Sequence, residues 1–265
     1  MFFAVLLATL GGRLAAHDYW FEPAPLWPIA TETVSLQLRV GMGLQPGEER
    51  EFQLARARRL VLAHGAGRRD LRPEMTEGAK PFASLRLEGE GTQLIALERD
   101  PSTIELAADK FTDYLREEGL EAIVAERARR GESAQVGRER YARFLKCYLR
   151  VGDSAEPALP VADLRLDLAP DLRTDRAMQA GDDLRVTVRL DGAPLKHAAV
   201  FSAVRLADGT IRTERGETDD QGVVRVRLTA AGFWLVRLVH MQRAPAGDPA
   251  ADWESFWAAC TFGVK

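Results

Sequence analysis

The sequence predicts a mainly β protein interrupted by one helical insertion, and two changes of hydrophobic period carry that prediction. From Thr33 to about Glu98, apolar residues alternate at period two; from Ala107 to Leu149 they recur every three or four residues; beyond Pro170 the alternation returns. A strand turns successive side chains to opposite faces, so alternation marks half-buried strands. Spacing of three or four residues keeps side chains on one face of a helix.

Taken in order, Val34, Leu36, Leu38 and Val40 share one face of a first strand, and Leu85-Leu87 and Leu94-Ile95-Leu97 suggest two more. Gly and Pro punctuate them, as in Gln45-Pro46-Gly47, which is β-sandwich patterning. The helical stretch carries Phe111, Tyr114 and Leu115, then Leu120, Ile123 and Val124, then Tyr141, Phe144, Leu145 and Tyr148, with breaks at Gly119 and Gly131. Its arginines, among them Arg127, Arg129, Arg130, Arg138, Arg140 and Arg143, are interleaved with Glu126, Glu132 and Glu139. No aromatic platform shares their helical face, so they read as a solvated surface and not as a nucleic-acid site.

Pro157 to Pro170 is a connector rich in proline and aspartate. After it, Leu184, Val186, Val188 and Leu190, then Val224, Val226 and Leu228, then Trp234, Val236 and Leu238 alternate, with turns at Asp191-Gly192, Asp208-Gly209 and Gln221-Gly222. About seven short strands in about a hundred residues point to an immunoglobulin-like sandwich. The expected organisation is a leader over 1–16, a β-rich domain over 17–156 with its helical insertion at about 107–149, and an immunoglobulin-like domain over 157–265.

Phe2 to Leu10 is an apolar run too short to cross a bilayer and suited to a secretory leader, and Ala15-Ala16 before His17 resembles a peptidase site. The alternative is a buried first strand of a cytosolic protein. Cleavage predicts a periplasmic or secreted product with no later membrane span. Lys+Arg 36 against Asp+Glu 39 leaves a net charge of −3, which supplies no global field to recruit nucleic acid or an anionic membrane. Cys147, placed by this reading in a helix, and Cys260, in a last strand, match no metal motif; a bridge and two separate buried thiols both remain open.

The chain contains no HExxH helix, Walker loop or Gly-x-Ser-x-Gly elbow, and His64-Gly65-Ala66-Gly67 reads as a glycine turn. A binding protein is therefore favoured over an enzyme. If cleavage exposes His17, its α-amine and imidazole can chelate one nickel, cobalt or copper ion, with Asp18 adding an oxygen. His240 is the candidate distant donor: alternation from Trp234 sets it on the apolar face with Leu238, with Met241 opposite. The competing reading of His240 is a hydrogen-bonded histidine at the core's rim. His64 and His197 read as surface residues.

His17-Asp18-Tyr19-Trp20-Phe21-Glu22-Pro23, Ala108-Asp109-Lys110-Phe111 with Tyr114 to Leu120, Gly137 to Tyr141, Gly232-Phe233-Trp234 through His240-Met241, and Ala251 to Ser255 carry a resemblance. Over nearly the whole mature length, the chain resembles an exported bacterial family catalogued as a domain of unknown function and similar to periplasmic substrate-binding parts associated with nickel and cobalt uptake. The resemblance implies a leader cut before the histidine, a β-rich fold, and binding or delivery of a transition metal through His17 and His240, with a membrane transport component as partner. Where many relatives follow Val-Gly with histidine, this chain has Met42, whose thioether favours softer copper or removes the site. Two other classes stay open: a copper redox enzyme with an N-terminal histidine brace, whose exposed aromatics Trp20, Trp27, Trp253 and Trp257 could supply, and a metal-free interaction module.

Overall fold

The computed structural model describes residues 17–45 and 47–265, so the expected leader over 1–16 and Pro46 of the expected Gln45-Pro46-Gly47 turn lie outside the described residues. The chain opens with β1 (Asp18–Ala24), β2 (Thr33–Gly41) and β3 (Glu48–Arg50), then β4 (Ala57–His64) and β5 (Gly67–Asp70). β6 (Ala83–Arg86) and the long β7 (Gly91–Leu106) lead into helices α1 (Ala108–Glu117) and α2 (Glu121–Arg129), and β8 (Gly137–Val151) returns from them. The second half holds β9 (Leu166–Pro170), β10 (Asp183–Leu190), β11 (Ala193–Pro194) and β12 (Ala199–Arg205). It closes with β13 (Ile211–Glu217), β14 (Val223–Arg227), β15 (Gly232–Arg243) and β16 (Trp253–Val264).

These strands make three stacked layers. The middle layer is an eight-stranded sheet of order β13-β12-β15-β16-β8-β7-β4-β5. It is antiparallel except where β16 runs parallel to β8. Along β7, Leu94 and Ala96 pack with Leu184, Val186 and Val226 of the sheet β11-β10-β14 with β9. The intervening Ile95 and Leu97 pack with Leu36, Leu38 and Phe21 of the sheet β1-β2-β3 with β6. One central sheet thus has a dry face on each side. Each buried Leu, Ile or Phe contributes about 1.5–3 kcal/mol.

The expected mainly β architecture with a helical insertion is the one the chain adopts. β2 shows strict alternation, with Val34, Leu36, Leu38 and Val40 all buried. Glycine and aspartate turns fall where expected: Asp191 and Gly192 both take positive φ, at 50° and 81°, in the β10–β11 hairpin, as a primed turn requires. Trp20 and Trp253 belong to the core, Trp257 is 7% exposed, and none of the three presents its ring on the outer surface.

Two expectations need correction. The helical insertion ends at Arg129, and residues 137–149 lie in strand β8 instead of a helix. The cause is burial on both faces: from Phe144 to Val151 every residue is buried, so no alternation survives to betray a strand. Arg138, Arg140 and Arg143 and Glu139 therefore belong to a sheet, not to a solvated helix surface. Cys147, accordingly, is a strand residue; it and Cys260 are free, buried thiols packed in different cores on opposite faces of the middle sheet. Burial pushes the Cys147 thiol up to about 12 and raises that of Cys260. At the connector near residue 157, strands from both sides join one sheet: β8 of the first half pairs with β16 of the second.

Candidate ligand-binding site

α1 and α2 cover part of the middle sheet that the first sheet leaves open. Phe111, Tyr114, Leu115 and Ile123 pack there on Val239, Met241, Trp253 and Trp257. The strip between the helices and the first sheet contains a cavity of about 230 Å³. Tyr19 and Val40 wall it from the first sheet, Tyr114 from α1, Glu139, Tyr141 and Arg143 from β8, and Trp257 from β16; His17 sits at its rim. Period-two geometry accounts for the β8 contribution, because residues 139, 141 and 143 face the same way.

Arg143 is the chemical centre of this cavity. Its guanidinium carbon lies 4.0 Å from the Tyr19 ring centroid, 4.8 Å from that of Trp257 and 5.3 Å from that of Tyr141. Among the described residues its hydrogen bond goes from Nη1 to the His17 carbonyl oxygen, at 3.0 Å. Burial pulls its pKa below the ordinary arginine value, with Tyr19, Tyr141 and Asp18 opposing. An arginine stays charged under such a shift, so the cavity holds a cation stacked on aromatic faces.

The floor is a hydrogen-bonded acid. Buried Glu139 accepts from the Tyr114 hydroxyl at 3.1 Å and from the Ser255 hydroxyl, and Ser255 Oγ accepts from Trp257 Nε1 at 3.0 Å. Burial raises the Glu139 pKa, while the Ser255 and Tyr114 bonds hold it back.

The rim is fixed by a second cluster. Asp18 Oδ1 lies 2.9 Å from Arg237 Nε, and its Oδ2 accepts from the Gly43 backbone N–H at 2.9 Å. Arg237 also donates to Glu118, beyond the end of α1. Burial raises the pKa of Asp18 and lifts Glu118 to about 7, against the pull of Arg237 in both cases. β1 is thereby tied to the helical insertion, and His17 is carried to the cavity mouth.

The four residues expected to hold a metal do not converge. His17 is exposed at the rim, and Asp18, beside it, has both carboxylate oxygens committed inward. His240 lies on the opposite face of the middle sheet: it stacks on Phe256 at 6.3 Å, whereas the His17 carbonyl accepts from Arg143, which stacks on Trp257. Phe256 and Trp257 are successive residues of β16 and point to opposite sides. His240 faces the apolar side with Trp234 and Leu238, as its spacing predicts, and burial lowers its pKa. Met42 is 48% exposed and borders a separate cavity of about 360 Å³ with Phe201, Ile211 and Arg237. His64 bonds the Glu90 carbonyl at 2.9 Å, and His197 sits between Glu217 and Asp220. Among the described residues no group of three His, Cys, Asp or Glu side chains is placed to hold a metal ion. The set His17, Asp18, Met42 and His240 does not fit a shared metal centre.

Sequence reasoning missed Tyr19, Tyr141, Arg143 and Glu139. For the three on β8 the signal was the odd-numbered series Glu139, Tyr141, Arg143, Leu145 and Cys147, which is a strand face once period two is tried.

A family model matches residues 14–242. The chain belongs to that family, described as Domain of unknown function (DUF4198). The match takes in β1, both helices and β8, and therefore every wall of the cavity except Trp257 of β16. No curated protein matches the chain. Among solved structures it is similar to the D0-D1 domain of intimin, with 12% identity and a TM-score of 0.21 over 93% of this chain and 98% of that one.

Proposed function

We propose that the chain is an exported binding protein that takes a small organic anion in the cavity beneath His17. The carrying observation is Arg143: a half-buried guanidinium in an aromatic cage, facing a cavity, with a backbone carbonyl as its described hydrogen-bond partner. Such a fork accepts a carboxylate, and desolvation strengthens the bond. Tyr19, Tyr141 and Trp257 take the flat or apolar body of the ligand, and the Glu139 network supports the cavity without blocking it. A volume of about 230 Å³ suits a ligand smaller than a drug.

Calorimetric titration with 3-phenylpropanoate and its neutral amide tests this. The acid should bind and the amide should bind at least about tenfold more weakly; Arg143→Gln should remove the difference, since a charged hydrogen bond is worth about 1.5–3 kcal/mol. Equal binding of acid and amide, or an unchanged preference in Arg143→Gln, sinks the proposal.

A second reading keeps the transition metal but reduces its site to the terminus. It is favoured by the exposed position of His17, whose side chain makes no hydrogen bond among the described residues. If the leader is cut before it, the freed amine and imidazole chelate nickel, cobalt or copper at the cavity mouth, for delivery to a membrane transport component. In the same titration, one extra residue before His17 should abolish metal binding and leave the carboxylate bound.

A further inference from the structure

The cavity has a polar neighbour. A cleft of about 380 Å³ shares Tyr19, Arg50 and Tyr141 with it as a common wall and is lined on its far side by Arg99 from β7 and Arg56. The Arg99 guanidinium carbon lies 5.5 Å from the Tyr19 ring centroid, so one tyrosine ring carries two guanidiniums, Arg99 toward the cleft and Arg143 toward the cavity.

Their pairing sets these arginines apart. Elsewhere on the same face of the middle sheet, Arg237 is paired with Asp18 and Glu118, and Arg243 with Glu126 and Glu132. By contrast, Arg56 donates to the Ser102 hydroxyl at 2.7 Å, Arg99 to Gln53 Oε1 at 3.2 Å and Arg143 to a backbone carbonyl. Among the described residues none of the three is paired with a carboxylate. Burial lowers the pKa of Arg99, and the charges of Arg143 and Arg56 push the same way. Holding three like charges together is unfavourable unless an anion joins them.

Among the described residues, none of the acidic residues lining the cleft forms an ion pair with these three arginines. Glu48 pairs with Arg50 at 3.2 Å and Glu51 accepts from Gln53. Glu49 lines the cleft as well, and one of its carboxylate oxygens is buried and makes no hydrogen bond among the described residues.

We propose that the ligand is a dicarboxylate, one carboxylate on Arg143 in the aromatic cavity and the second between Arg99 and Arg56 in the adjoining cleft. This rests on the anion-binding reading of the cavity and adds the second head. The two carboxylates need only span the edge of one tyrosine ring, so the ligand is short.

Phenylsuccinate and 3-phenylpropanoate form a matched pair that differs by one carboxylate. The full chain should bind phenylsuccinate at least about tenfold tighter, and the ratio should shrink as salt is raised. Arg99→Gln should bring the ratio to about one by weakening phenylsuccinate far more than 3-phenylpropanoate, and Arg56→Gln, at an exposed position, should lower the ratio in the same direction. A ratio near one in the unaltered chain, or equal weakening of both ligands by Arg99→Gln, overturns the second head and leaves the Arg143 site standing. Failure of both ligands to bind overturns both.

Discussion

Arg237 serves two buried carboxylates, Asp18 and Glu118, and so leaves one negative charge in excess where water is excluded. The pair answers by holding a proton more tightly when folded. Burial lifts Glu118 to about 7, Arg237 pulls it back and Asp18 pushes it further up. Between the unfolded carboxylate range and pH 7 the folded chain therefore binds more protons than the unfolded chain, and stability falls as pH rises through that window. The slope for one such group is at most about 1.4 kcal/mol per pH unit. Urea unfolding of the unaltered chain should show stability decreasing from pH 5 to pH 7.5, and Glu118→Gln should flatten the decrease without abolishing it, because the Asp18 and Glu139 carboxyls are raised as well. An identical pH slope in Glu118→Gln would show that the proton sits elsewhere. The same cluster explains why Asp18 was a reasonable metal ligand from sequence and is not one in the fold: its charge is already used to anchor β1.

At the scale of elements, what the sequence disclosed depends on how many faces of a strand are buried. β2, β10 and β14 are covered on one face, so their alternating Val and Leu residues announce them. β8 is covered on both faces over its second half, and Phe144, Leu145 and Tyr148 then mimic the spacing of a helix. That one misassignment hid the site, because Arg143 read as a solvated helical charge in a strand that in fact forms the cavity wall. His17 was legible because a leader-like run precedes it; the opposite orientations of His17 and His240 were not, because they depend on which sheet face β1 crosses. β8 also seats the helical insertion through Gly137. A Cβ there would lie 2.2 Å from the ring of fully buried Phe111 on α1. Gly137→Ala should cost about 1–3 kcal/mol by overpacking and raise hydrogen exchange across 108–129. Since Tyr114 of α1 lines the cavity and holds Glu139, binding of 3-phenylpropanoate should weaken with it. Unchanged exchange in the helices would mean that α1 docks independently of β8.

Across the whole molecule, the middle sheet makes the two halves of the sequence interdependent. β16, at the end of the chain, lies between β15 of its own half and β8 of the first half, over registers running from Trp253 to Val264 and from Trp253 to Thr261. The third layer is tied to β8 by a buried ion pair, Lys146 Nζ to Asp167 Oδ1 at 2.5 Å, and breaking such a pair by removing one partner costs about 3–5 kcal/mol. A fragment ending at residue 156 would expose the β8 edge and the whole apolar face on which Leu166, Val186 and Val226 rest. A fragment starting at residue 157 would leave Trp257 and Leu235 without the residues they pack on. Differential scanning calorimetry should accordingly give one cooperative transition for residues 17–265, and neither 17–156 nor 157–265 should show a native transition alone. Two separable transitions, or a fragment that folds and keeps its own hydrogen-exchange protection, would show instead that the connector near residue 157 is a true domain boundary. In that case β16 would add to a first half already formed, and ligand binding in the cavity, which needs Trp257 from β16 and Arg143 from β8, would depend on the docking of the two halves.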